Sequence, residues 1–161
     1  MRPSHVVVIA YGNPLRGDDG LASHAADELR KNLTFPDVEI LQVHQLAPEL
    51  AENLSRSHVV VFVDASAAKP GKTQPGEIGI VEIGKQESNR ATGSPFHHQF
   101  SPASLLALAA ELYHTTPRAF LATMTGEDFS PGERLSPSIE GAMPEFVASI
   151  ERLIRQLIKA S

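Results

Sequence analysis

Continuous apolar runs alternate with amphipathic stretches along this chain, and the alternation predicts a sheet whose strands are separated by helices. The first run, residues 6–10, is β-branched and lacks polar alternation, which indicates a strand buried on both faces of a parallel sheet. Residues 59–63 have the same character and end directly on Asp64. Between these runs, apolar residues spaced four apart over 18–32 predict an amphipathic helix.

The remaining pattern completes a regular series of elements. It predicts a second strand at 38–43, a short helix at 47–54, a more exposed and edge-like strand at 77–83, a helix opened by Ser101-Pro102, a last strand at 119–124 and a final helix opened by Ser136-Pro137. Pro144 should kink that last helix or mark where its regular part begins. The order β-α-β-α-β-β-α-β-α predicts a three-layer α/β fold with a twisted, mostly parallel five-stranded sheet and helices on both faces. We expect residues 1–161 to form a single domain.

The amino-acid composition excludes several classes of function for this protein. The 161 residues are 42% hydrophobic and 20% charged, as is typical of a globular protein. A net charge of -5 without a basic block argues against nucleic-acid binding. The absence of cysteine excludes disulfides, thiolate metal sites and a cysteine nucleophile. The apolar stretch near the start is about six residues long, too short to cross a bilayer, so we expect a cytoplasmic protein without a membrane partner.

Acidic and imidazole side chains follow several of the predicted strands. Asp18 and Asp19 lie in the loop after the first strand, Asp64 ends the third, and His97 and His98 precede a helix. One of the two adjacent aspartates can cap the following helix, but the other must point elsewhere. Because loops at the carboxyl edge of an open α/β sheet lie together, two carboxylates and one imidazole can meet there and suit a borderline divalent metal such as nickel or zinc. For each residue alone a local hydrogen-bonding role is the favoured interpretation, and it is their convergence on one edge that favours a site.

Motifs of other enzyme classes are missing from the sequence. The loop at 10–15 fails the dinucleotide pattern G-x-G-x-x-G at its first and last glycine, and a P-loop, a G-x-S-x-G elbow and an H-E-x-x-H pair do not occur. The adjacent histidines point to opposite sides if the segment is extended, so one of them is not a ligand. The residues alone therefore indicate an α/β domain with a carboxylate and imidazole site at one sheet edge.

Several segments, taken in order and spacing, resemble the hydrogenase maturation endopeptidases. They are Gly-Asn-Pro-Leu-Arg-Gly-Asp-Asp-Gly at 12–20, Val63-Asp64-Ala65, His98-Gln99 before a helix, and Leu-Ser-Pro-Ser-Ile-Glu at 135–140. The chain departs from that family at Ala10, where the first glycine of the loop is usual, and at Asp19, where some members carry glutamate. His44-Gln45-Leu46 replaces a glycine-rich stretch, a difference that bears on which substrate is selected.

The resemblance implies an endopeptidase that removes a C-terminal extension from the large-subunit precursor of a nickel-iron hydrogenase. It implies that the nickel is carried by the precursor, and that the catalytic and metal-contacting residues are Asp19, Asp64 and His98. The metal would either polarise the scissile carbonyl or activate a water. A non-catalytic module that binds or chaperones a partner's metal site, using the same residues, is the alternative.

Overall fold

The computed structural model describes residues 6–84 and 100–160. Its strands are β1 (Val6–Tyr11), β2 (Val38–Val43), β3 (Val59–Ser66), β4 (Ile78–Ile83) and β5 (Arg118–Thr125). Its α-helices are α1 (Leu21–Asn32), α2 (Leu50–Ser55), α3 (Pro102–Tyr113) and α4 (Pro137–Lys159), with one 3₁₀ turn (Gly17–Gly20) directly before α1. The predicted order of strands and helices is confirmed.

The five strands form one sheet in the order β2-β1-β3-β5-β4. Neighbouring strands are parallel except β4, which runs antiparallel to β5 at the edge of the sheet. This confirms the predicted α/β class, the mostly parallel sheet and the edge position of the fourth strand. Ala10 of β1 pairs with Val63 of β3, so the carboxyl ends of these two central strands lie level with each other.

Both faces of the sheet are buried, which explains why the central strands show no polar alternation. One face packs against α1 and α4, and its core includes Val8, Val61 and Phe146. The opposite face packs against α2 and α3, and its core includes Ile9 and Phe62. Within the described ranges, no helix has the length and apolar character that crossing a bilayer requires.

Both Ser-Pro pairs stand at helix starts as predicted, but only Ser101 caps its helix, because the Ser136 hydroxyl donates to Asp18 instead. The Ser101 hydroxyl accepts a hydrogen bond from Ser104 N at 3.0 Å and opens α3 as predicted. The short second helix begins at Leu50, not at residue 47, because Pro48 lies in the turn before it. Pro144 does not mark the start of the regular part of α4, which is helical from Pro137 onward. Its exposed position lets water satisfy the carbonyl that a proline cannot bond.

Candidate functional site

Asp18 and Asp19 lie on the 3₁₀ turn and are both buried, with 0% and 1% of their surface exposed. The N-cap of α1 is Gly20, and no described side chain caps that helix. The expectation that one aspartate caps the helix is therefore wrong. The physical reason is the 3₁₀ turn, which separates the aspartates from the first turn of α1 and directs both carboxylates into the protein.

Asp18 is a structural residue. Its Oδ2 accepts hydrogen bonds from the backbone N–H of Glu127 at 2.8 Å and of Asp128 at 2.9 Å, and from the Ser136 hydroxyl at 2.7 Å. Its Oδ1 accepts the Ser136 backbone N–H at 2.7 Å. Since both oxygens are occupied by the loop between β5 and α4, Asp18 fixes that loop to the 3₁₀ turn.

Asp19 has a different environment. Its Oδ2 accepts the Asn13 backbone N–H at 2.7 Å, which holds the carboxylate against the loop after β1. Its Oδ1 is buried and has no hydrogen-bond partner among the described residues. Gly12 makes the approach possible, because a Cβ there would lie 2.2 Å from the Asp19 carbonyl oxygen and its φ is +150°. The result is a carboxylate held in place at one oxygen, with its other oxygen buried and without a hydrogen-bond partner among the described residues.

Asp64 and Tyr11 stand beside Asp19 at the carboxyl edge of the sheet. Asp64 is fully buried, and its Oδ1 accepts the Ala65 N–H at 2.8 Å. Tyr11 ends β1 and is 2% exposed. Burial raises the pKa of Tyr11 well above its usual value, and the neighbouring charges of Asp64 and Asp19 raise it further. Two buried carboxylates therefore converge on one phenol.

Tyr11 is the residue of this cluster that the sequence interpretation did not single out. A signal for it existed: a tyrosine at the end of one buried strand lies level with an aspartate at the end of its parallel neighbour. Recognising that signal requires the register of β1 against β3, in which Ala10 and Val63 are partners. The pattern of apolar residues predicts the two strands but does not predict how they are aligned.

The predicted third member of the site, His98, lies outside the described residues, as does His97. In the ranges 6–84 and 100–160, no three His, Cys, Asp or Glu side chains are grouped in a way that could hold a metal ion. Asp19 and Asp64 supply oxygens of the kind that a divalent cation accepts, and one carboxylate oxygen of Asp19 is buried without a hydrogen-bond partner among the described residues. A complete ligand set needs a further group, and the predicted role of His98 stays a prediction.

The loop between β1 and the 3₁₀ turn lies beside Asp19, and hydrogen bonds hold its backbone in place. The Leu15 side chain is 55% exposed although it is large and apolar. Its backbone is held on both sides, because Leu15 N donates to Asn13 Oδ1 at 2.9 Å and Leu15 O accepts Gly132 N at 2.9 Å. This loop therefore exposes an apolar side chain to solvent, while two hydrogen bonds hold the backbone of Leu15 in place.

Comparison with known proteins gives a consistent picture at the level of structure. No protein-family model matches the chain, and no curated protein matches it in sequence. Among solved structures, the hydrogenase maturating endopeptidase HybD from E. coli has a TM-score of 0.76 at 19% identity, over 94% of this chain and 93% of that one.

Two further structures agree with that match. The NiFe hydrogenase maturation protease HybD from Thermococcus kodakarensis has a TM-score of 0.74 at 20% identity, over 92% of this chain and 98% of its own. The NiFe hydrogenase maturation protease HycI from the same organism has a TM-score of 0.71 at 21% identity, over 98% of this chain and 94% of its own. The resemblance seen in the sequence motifs thus extends to the architecture, and this chain has the fold of the hydrogenase maturation endopeptidases.

Proposed function

We propose that this protein is an endopeptidase that removes a C-terminal extension from the nickel-loaded large-subunit precursor of a nickel-iron hydrogenase. The observation that supports it most is Asp19 Oδ1, a buried carboxylate oxygen without a donor among the described residues, placed beside the buried Asp64. The fold is that of proteins named as hydrogenase maturation proteases, which supports the same assignment.

In this proposal the metal arrives with the substrate. Asp19 and Asp64 contact the nickel carried by the precursor, and His98 supplies an imidazole as the third contact. A buried carboxylate with an unused oxygen gains the interaction that its own chain does not provide, so docking of a cation-bearing precursor is favourable there. A precursor without nickel lacks this interaction, which makes processing depend on completed metal insertion.

The chemical step is hydrolysis of one peptide bond. A water oxygen joins the carbonyl carbon, the carbon–nitrogen bond breaks, and the departing amine takes up a proton. Nickel can polarise the carbonyl oxygen or lower the pKa of the attacking water. Asp19 and Asp64 hold the ion and thereby align the scissile bond, while the exposed Leu15 offers an apolar contact to the precursor beside them.

The test is the intact mass of a purified hydrogenase large-subunit precursor after incubation with the protein. The arms are wild type, Asp19→Asn and His98→Ala, each with nickel-loaded and nickel-free precursor. Asp27→Asn serves as the matched control, because Asp27 is an exposed aspartate on α1 whose side chain is 62% accessible.

Loss of a C-terminal peptide is expected with wild type and with Asp27→Asn, only when nickel is present, and not with Asp19→Asn or His98→Ala. An unchanged mass with wild type and loaded precursor would refute the endopeptidase. If a stable complex still formed in that case, the non-catalytic metal-site binding module would take its place. Processing of nickel-free precursor at the same rate would refute recognition through the metal.

A further inference from the structure

Tyr11 has a fixed place at the carboxyl edge of the sheet, but the proposed chemistry gives it no role. Its ring packs edge-on against Phe62, with centroids 6.4 Å apart and planes at 86°. Phe62 is itself fully buried in the core beneath α2 and α3. Packing against the core therefore fixes the plane of the Tyr11 ring and the direction of its hydroxyl.

The sheet register places Tyr11 beside Asp64. Ala10 and Val63 are partners in the parallel pairing of β1 with β3, so Tyr11 and Asp64 occupy the next level of the two strands. Side chains alternate along a strand, so Asp64 lies on the same face as Phe62, where Tyr11 packs. Neighbouring strands are about 4.8 Å apart, a separation that a phenol spans.

Two carboxylates close together in a buried place repel each other and need a donor. The 3₁₀ turn that carries Asp19 packs against β3, which carries Asp64, and both aspartates are 1% exposed or less. A neutral hydroxyl beside them supplies a hydrogen bond without adding a competing cation. The same hydroxyl limits the rotation of whichever carboxylate it bonds.

We propose that Tyr11 is a positioning residue for Asp64: its hydroxyl donates a hydrogen bond to the Asp64 carboxylate and holds it in the orientation from which it shares a ligand with Asp19. The inference rests on the proposed function for the identity of that ligand, a nickel ion. It does not make Tyr11 a catalytic residue, because the phenol acts through Asp64 and does not contact the substrate.

A purely structural tyrosine would behave differently from a positioning one. If the ring were needed only for packing against Phe62, Tyr11→Phe would leave Ni²⁺ binding unchanged. The chain offers a matched control, since it contains two tyrosines and the other one, Tyr113, is 43% exposed at the end of α3. Tyr113→Phe removes the same atom from a place far from the carboxylates in the fold.

The first arm tests the hydrogen bond itself by ¹³C NMR of the full chain labelled at tyrosine Cζ. Two tyrosines give two signals, and Tyr113→Phe identifies the one that belongs to Tyr11. Replacing Asp64 by asparagine should move the Tyr11 signal and leave that of Tyr113 in place. A Tyr11 signal that stays at the same shift in a folded Asp64→Asn chain would overturn the proposal.

The second arm tests the consequence with Ni²⁺ alone, titrated calorimetrically into the full chain. Tyr11→Phe should weaken Ni²⁺ binding by about 10–100-fold, the effect typical of losing a group that orients a metal ligand. Tyr113→Phe should bind like wild type. Equal affinity in the wild type and Tyr11→Phe would overturn the positioning role, and this arm does not depend on the folding of the Asp64 variant.

The two proposals can fail separately. If wild type cleaves no precursor while Tyr11→Phe still weakens Ni²⁺ binding, the endopeptidase is lost and the positioning role of Tyr11 stands. If wild type cleaves the precursor and Tyr11→Phe binds Ni²⁺ equally well, the reverse holds. A wild-type chain that binds no Ni²⁺ would overturn the positioning role, whereas the endopeptidase is decided separately by cleavage of the nickel-loaded precursor.

Discussion

Replacing each of the two adjacent aspartates by asparagine should have very different effects on stability. Asp18 accepts four hydrogen bonds, three at Oδ2 and one at Oδ1. An asparagine oxygen can serve the three donors at the Oδ2 position, but its NH₂ group then faces the Ser136 backbone N–H. One bond to a charged acceptor is lost, a buried donor is left without a partner, and the other three bonds lose their charge assistance.

The cost follows from these losses. A hydrogen bond to a charged group contributes about 1.5–3 kcal/mol and an unsatisfied buried donor costs about 1–3 kcal/mol, with partial overlap between the two. We therefore expect Asp18→Asn to lower the free energy of unfolding by about 3 kcal/mol. For a chain of this length, that loss corresponds to a Tm lower by about 6–12 °C.

Asp19→Asn should behave otherwise, although it is the same substitution one residue away. The amide oxygen can keep the Asn13 N–H, and the NH₂ group replaces an oxygen that has no donor among the described residues. Removing a buried charge beside Asp64 offsets the small losses, so the free energy of unfolding should stay within about 0.5 kcal/mol of wild type or rise. Urea and thermal denaturation followed by far-UV circular dichroism measure both changes. An Asp19→Asn chain destabilised as much as Asp18→Asn would refute the division of roles.

Three further substitutions test other parts of the structure. Gly12→Ala should lower the free energy of unfolding by at least about 2 kcal/mol more than Gly132→Ala, as measured by urea denaturation. Both glycines have φ near +150°, but only at Gly12 would the added Cβ collide with backbone atoms. Equal losses in the two variants would contradict this. The raised pKa of Tyr11 means that its contribution to stability is present below pH 10 and is lost as pH rises above it, at about 1.4 kcal/mol per unit. As the pH is raised above 10, the free energy of unfolding should therefore fall less in Tyr11→Phe than in Tyr113→Phe, which keeps Tyr11. Equal falls in the two variants would argue against the raised pKa. Pro144→Ala should raise the unfolding free energy by about 1–3 kcal/mol by restoring a helix donor, and an unchanged Tm would count against an intact α4 at this point.

Local sequence signals predicted the parts of the fold that depend on neighbours in the chain. The short apolar run at 59–63, rich in β-branched residues, is sufficient to predict β3 as a strand buried on both faces, and Ser101-Pro102 is sufficient to predict the start of α3. The role of Asp18 is not predictable in this way, because its donors lie 109 to 118 positions away along the chain. The helix-cap prediction considered only the adjacent helix, and the adjacent helix does not supply the partners.

Asp18 and Asp19 have different surroundings because of the geometry of the 3₁₀ turn that carries them. Successive residues of a 3₁₀ helix point about 120° apart, so neighbouring carboxylates on it cannot face the same surroundings. One of them is directed to the loop that begins α4, where backbone donors satisfy it, and the other to the ends of β1 and β3, where Asp64 is already buried. A fold selected for stability alone would place a donor or an apolar side chain at that second position. The buried Asp19 oxygen without a hydrogen-bond partner among the described residues is therefore the observation on which the proposed contact with a cation-bearing ligand rests.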